Sequence, residues 1–200
     1  AILLTQQQFK NEAVLLQQYL ATKNIRIPIR AKQLSGESVI ELKMQDVVTG
    51  IAKDEAYQLT VSKNNILISA ATAHGLFNAL QTFKQLTVGT DITAGEITDW
   101  PAFSWRGFMV DVGRNYQSVQ QLKQQIDVMA AYKLNIFHFH LTEDIAWRLQ
   151  SKQYPQLTQS RYMLRNAGKF YSINELKDLI NYCRARYITL VPEIDMPGHS

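Results

Sequence analysis

Three short runs in the second half of the chain gather the side chains that could do chemistry: Asp111-Val112-Gly113-Arg114-Asn115-Tyr116, His138-Phe139-His140-Leu141-Thr142-Glu143-Asp144 and Glu193-Ile194-Asp195-Met196-Pro197-Gly198-His199. Carboxylates and imidazoles give and take protons near neutrality when their surroundings tune them. An arginine offers a rigid fork of donors that suits paired oxygens. Taken singly, each residue has a plainer explanation. A strand-end Asp serves as an ion-pair partner, a lone Arg caps a loop, and His138 and His140 on one face read as hydrogen-bonded core histidines. Gly113 and Gly198 read first as backbone permissions, and Trp147 either lines a sugar or packs on a long loop. Together the runs are harder to dismiss. Buried charges are costly unless paired, so a fold gathers them only where they meet each other or a polar ligand.

The elements that must position these runs follow from periodicity. Arg106–Val112 reads as a strand, and Ser118-x-x-Gln121 caps a helix carrying Val119, Leu122, Ile126, Met129 and Ala130. Asn135–Thr142 is a second strand. After a long loop, Ser172-x-x-Glu175 caps a helix with Ile173, Leu176, Leu179, Ile180 and Cys183, and Ile188–Met196 is a third strand. Strand, helix, strand, helix, strand predicts a parallel sheet with right-handed crossovers, whose site lies at the carboxyl ends of the strands. Pro192 contradicts the third strand locally, because proline cannot donate to a ladder.

The first half has a different grammar. Thr5-x-x-Gln8 predicts a capping box for a helix carrying Phe9, Ala13, Leu16 and Leu20 and ending near Thr22. Strands are expected at Ile25–Ile29, Ser38–Leu42, Tyr57–Val61 and Ile66–Ser69, with a turn at Asn64-Asn65, and a second helix over Thr72–Leu86. That is an α+β domain with strands neighbouring in sequence and a helix at each end. The aperiodic stretch from Thr90 to Phe103 places the boundary, giving expected domains 1–99 and 100–200.

Composition narrows the function classes. The chain has 200 residues, 46% hydrophobic, enough for a real core. Its apolar runs fall well short of the roughly 18 residues a membrane span needs. Cys183 is the only cysteine, which excludes a disulfide framework and a cysteine zinc site. The net charge of +4 lies wholly in the second half, where Arg148, Lys152, Arg161, Arg165 and Lys169 occupy a stretch free of acids. Without an aromatic stacking platform interleaved in a regular pattern, this stretch reads as a solvated loop and not as a nucleic-acid surface. The chain opens on Ala1 instead of Met, which leaves the compartment open.

The run from Trp100-Pro101 through Trp105-Arg106-Gly107-Phe108-Met109-Val110-Asp111-Val112-Gly113-Arg114, then Lys133 to Asp144, then Val191-Pro192-Glu193-Ile194-Asp195-Met196-Pro197-Gly198-His199, resembles family 20 glycoside hydrolases, the β-N-acetylhexosaminidases. Gly75-Leu76-Phe77 and Leu80-Gln81 resemble the α+β domain that precedes the barrel in that family. The resemblance implies a (β/α)8 barrel that removes terminal N-acetylglucosamine or N-acetylgalactosamine from β-glycosides with retention, the substrate's own 2-acetamido oxygen acting as nucleophile. It implies that Arg114 binds sugar hydroxyls with Asp111 as its structural partner, and that Asp144 lies in the substrate-binding part of its motif. Glu143 and His199 belong to the network around the catalytic acid, and Asp195 is a supporting carboxylate. No cofactor and no metal are implied. The substrate class points to a secreted or periplasmic protein.

Two departures stand out. The family usually has Asp-Asp-Gln-Gly-Trp where this chain has Glu143-Asp144-Ile145-Ala146-Trp147. The family's acid and acetamido-orienting pair lies on a later strand, and these residues hold no His-x-Gly-Gly-Asp-Glu run. About three strand–helix units are present where a barrel has eight. The expectation is therefore an incomplete barrel, a fragment of a longer enzyme and inactive alone. Two other classes compete: a metal-dependent amidohydrolase using His138, His140, Asp195 and His199 as ligands, and a non-catalytic glycan-binding module.

Overall fold

The computed structural model describes residues 1–49 and 51–200. By internal contacts they divide into two units, Ala1–Ser104 and Trp105–Ser200. The first unit opens on β1 (Ile2–Leu4), followed by helix α1 (Lys10–Thr22), β2 (Ile29–Arg30), β3 (Ile40–Met44), the hairpin β4 (Tyr57–Val61) and β5 (Ile66–Ala70), and helix α2 (Ala73–Leu86). A small ladder of β6 (Thr87–Val88) and β7 (Asp91–Ile92) leads to β8 (Gly95–Asp99).

One six-stranded sheet runs β2-β1-β3-β5-β4-β8. This corrects the expectation of sequence neighbours: only β4 and β5 pair as a hairpin through the Asn64-Asn65 turn, while β1, β2, β3 and β5 pair in parallel. The strand expected over Ile25–Ile29 forms only at Ile29–Arg30. Phe9, Ala13, Leu16 and Leu20 bring one face of α1 into a core that also holds Ile2, Leu42, Leu59, Ile68, Leu76, Leu80 and Phe83. The expected capping box at Thr5 does not form. Its hydroxyl donates to Gln6 Oε1, and a 3-10 turn over Gln7–Phe9 precedes the helix. Helix α2 does carry its cap, Thr72 Oγ1 accepting from Gly75 N. Gly75 is required by close approach, since a Cβ there would lie 2.4 Å from the carbonyl oxygen of Ala56.

The second unit alternates strand and helix: β9 (Gly107–Asp111), α3 (Val119–Ala131), β10 (Ile136–His140), the short hairpin β11 (Thr142–Glu143) and β12 (Ala146–Trp147), α4 (Ile173–Arg184) and β13 (Thr189–Glu193). Both long helices start with complete capping boxes, Ser118 with Gln121 and Ser172 with Glu175. The sheet order is β13-β10-β9, all parallel. Phe137, Phe139, Val110, Leu122, Ile126, Met129, Leu179 and Cys183 are buried between sheet and helices. Pro192 lies within β13 level with Phe139, and the parallel ladder to β10 stays in register through it. Among the described residues, no helix is long and apolar enough to cross a membrane.

Candidate active site

Strand register assembles the site. His140 is level with Asp111 on one side and Glu193 on the other, so the three strands deliver their last side chains to one rim. His138, two residues earlier, shares the face of His140 because strand side chains alternate. Beyond the strand ends, β11 supplies Glu143, and the segment after β13 supplies Asp195 and His199.

Of the sequence-predicted residues, Arg114, Glu143 and His199 meet there, together with Asp111. Arg114 is held at its base by Asp111, whose Oδ1 accepts from the Arg114 backbone N–H at 2.9 Å and whose Oδ2 lies 2.5 Å from Nη1. The other arm of the fork, Nη2, lies 2.5 Å from Glu143 Oε1. His199 Nδ1 is 3.1 Å from Glu143 Oε2 and 3.5 Å from Arg114 Nη2. The carboxylate is buried, with only 6% of its side chain exposed, while the side chains of Arg114 and His199 are 50% and 51% exposed. A buried acceptor is thus ringed by donors that also face outward.

Charge states follow from these contacts. For Glu143, burial pushes the carboxyl upward, but hydrogen bonds from His199 and His140 and the charge of Arg114 prevail and hold it below its ordinary value. Asp111 shows the same contest, with burial outweighed by its bonds to Arg114. Asp195 stands further back, its Oδ2 3.9 Å from His140 Nδ1 and its backbone N–H donating to Thr142 Oγ1. Asp144 is exposed and lines, with Glu143, Trp147, Leu157 and Tyr162, a cavity of about 290 Å3. The indole of Trp147 donates to Leu149 O at 2.6 Å, so the ring is fixed by its own loop.

The longer side chain at Glu143, a departure in sequence, has a matching space. A Cβ on Gly113 would lie 2.7 Å from Glu143 Cγ, so glycine is required there for packing and not, as expected, for a left-handed backbone.

Two functional residues escaped sequence reasoning. Glu193 stood among several strand-end acids, yet it receives both histidines: His140 Nδ1 at 2.5 Å from Oε1, and His138 Nε2 on Oε2. The signal was available, since in a parallel register the end of β13 lies level with the end of β10. Arg148 was read as part of a solvated basic loop and is instead fully buried. It donates to the carbonyl oxygens of Val112, Gly113, Arg165, Asn166 and Lys169 at 2.8 to 3.2 Å, tying the turn that presents Arg114 to the excursion after β12. No sequence signal distinguishes it from its basic neighbours.

The ligand set of the metal-dependent reading does not assemble as expected. Among the described residues, the trios whose donor atoms come within 4.8 Å of one another are Asp111–His140–Glu143 and His140–Glu193–Asp195, without His138 or His199. Both centre on His140, whose ring nitrogens already face carboxylates, and a guanidinium sits on Glu143.

Parallel strands alternating with helices, with a charged rim at their carboxyl ends, define an α/β unit of the kind that carries a site at those ends. Residues 103–200 match the catalytic domain of glycosyl hydrolase family 20, and residues 1–100 match domain 2 of the same family. The chain belongs to that family, as an N-terminal domain followed by part of a barrel. Among curated relatives, a β-hexosaminidase of Porphyromonas gingivalis is 41% identical over 165 residues, covering 74% of this chain and 21% of the relative. A β-N-acetylhexosaminidase of Cellulomonas fimi is 36% identical over 181 residues, covering 86% of this chain and 36% of the relative. The crystal structure of β-N-acetylhexosaminidase from Bacteroides fragilis superposes with a TM-score of 0.85 at 33% identity, over 99% of this chain and 41% of that one. An exo β-N-acetylglucosaminidase from Vibrio harveyi, in complex with N-acetylglucosamine, gives 0.81 at 31% identity, over 100% of this chain and 33% of that one. The chain therefore spans between about a fifth and two fifths of the length of these relatives.

Proposed function

We propose that a polypeptide carrying these residues is an exo-acting, retaining β-N-acetylhexosaminidase that releases terminal N-acetylglucosamine or N-acetylgalactosamine from β-glycosides. The observation that carries this reading is the shared mouth of Arg114, Glu143 and His199 in a chain of this family. Arg114, anchored by Asp111, offers its outward donors to a vicinal pair of sugar hydroxyls. Asp144, exposed beside Glu143, completes the substrate-binding edge. Glu143 and His199 orient and tune an acid that the family places on a later strand, and Asp195 supports them. The nucleophile is the 2-acetamido oxygen of the substrate itself.

In this reading residues 1–99 are the α+β domain, and residues 100–200 contribute about three of the eight strand–helix units of a (β/α)8 barrel. The catalytic acid pair is not among these 200 residues. A secreted or periplasmic location accords with the substrate.

The test is hydrolysis of a chromogenic N-acetylglucosaminide by the chain alone and by the chain joined to the remaining strands of a family barrel. Turnover is expected only from the joined protein. Arg114→Ala in that protein should reduce kcat/KM about ten- to hundredfold, the worth of charged hydrogen bonds of about 1.5–3 kcal/mol. Turnover by the 200 residues alone would refute the assignment of the acid pair to another strand. Sugar binding by the joined protein without hydrolysis would favour a glycan-binding module.

A further inference from the structure

His138, Glu193, His140, Glu143 and His199 form one unbroken hydrogen-bonded row of alternating imidazoles and carboxylates. The proposed activity uses only its last two members. At the centre, His140 is 4% exposed and sits between two acids, with Nδ1 2.5 Å from Glu193 Oε1 and Nε2 3.2 Å from Glu143 Oε1.

Proton counting restricts what this ring can be. A neutral imidazole donates from one nitrogen and accepts at the other, whereas an ionised carboxylate only accepts. Two hydrogen bonds from one ring to two carboxyl groups need two protons. Either both are on the ring, or one is on the ring and one on a carboxyl. The second arrangement is opposed at both ends. A proton on Glu143 would set a neutral acid against the Arg114 guanidinium 2.5 Å away and against His199. A proton on Glu193 would sit on the weaker base of the facing pair, because a carboxylate ordinarily holds its proton less tightly than an imidazole. The groups around the ring from every packed element are these: Asp111 from β9, Glu143 from β11, Glu193 and Asp195 from β13 and the segment after it, His199 edge-on at 6.1 Å, and His138 on its own strand through Glu193. The acids outnumber the cations close to the ring, which favours a positive charge there.

We propose that His140 is a positioning residue held as a buried imidazolium through neutral pH, with Glu193 as its counterion, so that Glu143 remains an ionised acceptor for Arg114 and His199. Burial alone would push the His140 pKa down, but the bonds to Glu193 and Glu143 overcome it and raise it, while Glu193 and Glu143 are both lowered. The assignment of a purpose to this charge rests on the proposed activity; the charge itself does not.

Long-range 1H–15N spectra of the 15N-labelled full chain, recorded from pH 5 to 9, test it. The four imidazoles are assigned by the single variants His74→Gln, His138→Gln and His199→Gln, with His140 the remaining one. His140 should carry protons on both ring nitrogens at neutral pH, with a midpoint above the ordinary value of ~6.5. Glu193→Gln should lower that midpoint by about one unit or more while circular dichroism stays unchanged. A midpoint at or below ~6.5 in the unmodified chain, or signals of a neutral ring that shift on adding zinc, would overturn the proposal. So would a folded Glu193→Gln chain whose His140 midpoint has not moved; if that variant fails to fold, the titration of the unmodified chain decides. No sugar enters the measurement, so a failure of hydrolysis would count against the activity alone.

Discussion

Gly113 backs directly onto the side chain of Glu143: a methyl group in place of its hydrogen would stand 2.7 Å from Cγ and 3.0 Å from Cβ of that residue. Ordinary carbon contacts are about 3.5–4.0 Å, so Gly113→Ala forces a displacement of about 1 Å. The carboxylate cannot retreat without leaving Arg114 and His199. If the proposed hydrolase reading holds, kcat/KM of the chain joined to further family barrel strands should fall on the order of a hundredfold. Overpacking should also cost about 1–3 kcal/mol in stability, read from the urea midpoint. Unchanged kinetics would show that the carboxylate position is immaterial.

Glu143→Asp restores the residue usual in the family and is nonetheless expected to harm this chain. The longer arm reaches Arg114, His140 and His199 at 2.5, 3.2 and 3.1 Å. Shortening it by one methylene opens those contacts by about 1 Å, and a rate loss of about ten- to hundredfold should follow. A rise in activity would instead mark the Glu as a defect.

The acid limb of stability belongs to the same carboxylates. Asp111, Glu143 and Glu193 are all held below their ordinary values. Such groups stabilise the fold above the unfolded-state pKa, about 3.9 for Asp and 4.3 for Glu, and that contribution is lost as pH falls through the lower folded values. His140 is raised, so its contribution is full below about 6.5 and is lost as pH rises through its folded value. Urea midpoints measured from pH 3 to 9 should peak between those limits, and Glu143→Gln should flatten the acid side. An acid side unaltered by both Glu143→Gln and Asp111→Asn would assign it elsewhere.

Arg148→Met should destabilise the chain by at least about 3 kcal/mol, because several buried carbonyl oxygens lose their donor at once. Arg165→Ala, on an exposed side chain in the same loop, should stay within about 0.5 kcal/mol. Equal losses in the two variants would remove the distinction drawn between them.

What the sequence disclosed depended on whether a signal was local. The capping boxes at Ser118 and Ser172 were legible because cap and partner stand three residues apart, and the strand ends were legible because polar residues interrupt apolar runs. Thr5 has the same pattern as Ser118, but its hydroxyl turns to Gln6. Strand β1 was invisible, being only three residues long and recognisable only by the strands on either side of it. The span of β8 hid in a stretch rich in turn residues, and its strand character comes from pairing with β4. The convergence of Arg114, Glu143 and His199 was readable through strand ends, whereas the role of Glu193 needed the register of β13 against β10.

Arg148 is a buried cation that makes no ion pair within 4.0 Å among the described residues, although the charge of Asp111 acts on it from further away. Its hydration shell is replaced mainly by peptide dipoles from segments distant in sequence, with Met163 Sδ and the Tyr116 ring beside them, and none of these alone could compensate the guanidinium. The excursion from Trp147 to Tyr171 therefore cannot peel away by degrees: releasing one contact strands a charge in a dry interior. Slow amide exchange there should be lost all at once, in step with the turn before Arg114, which makes the rim around Arg114 and its distant brace a single cooperative unit.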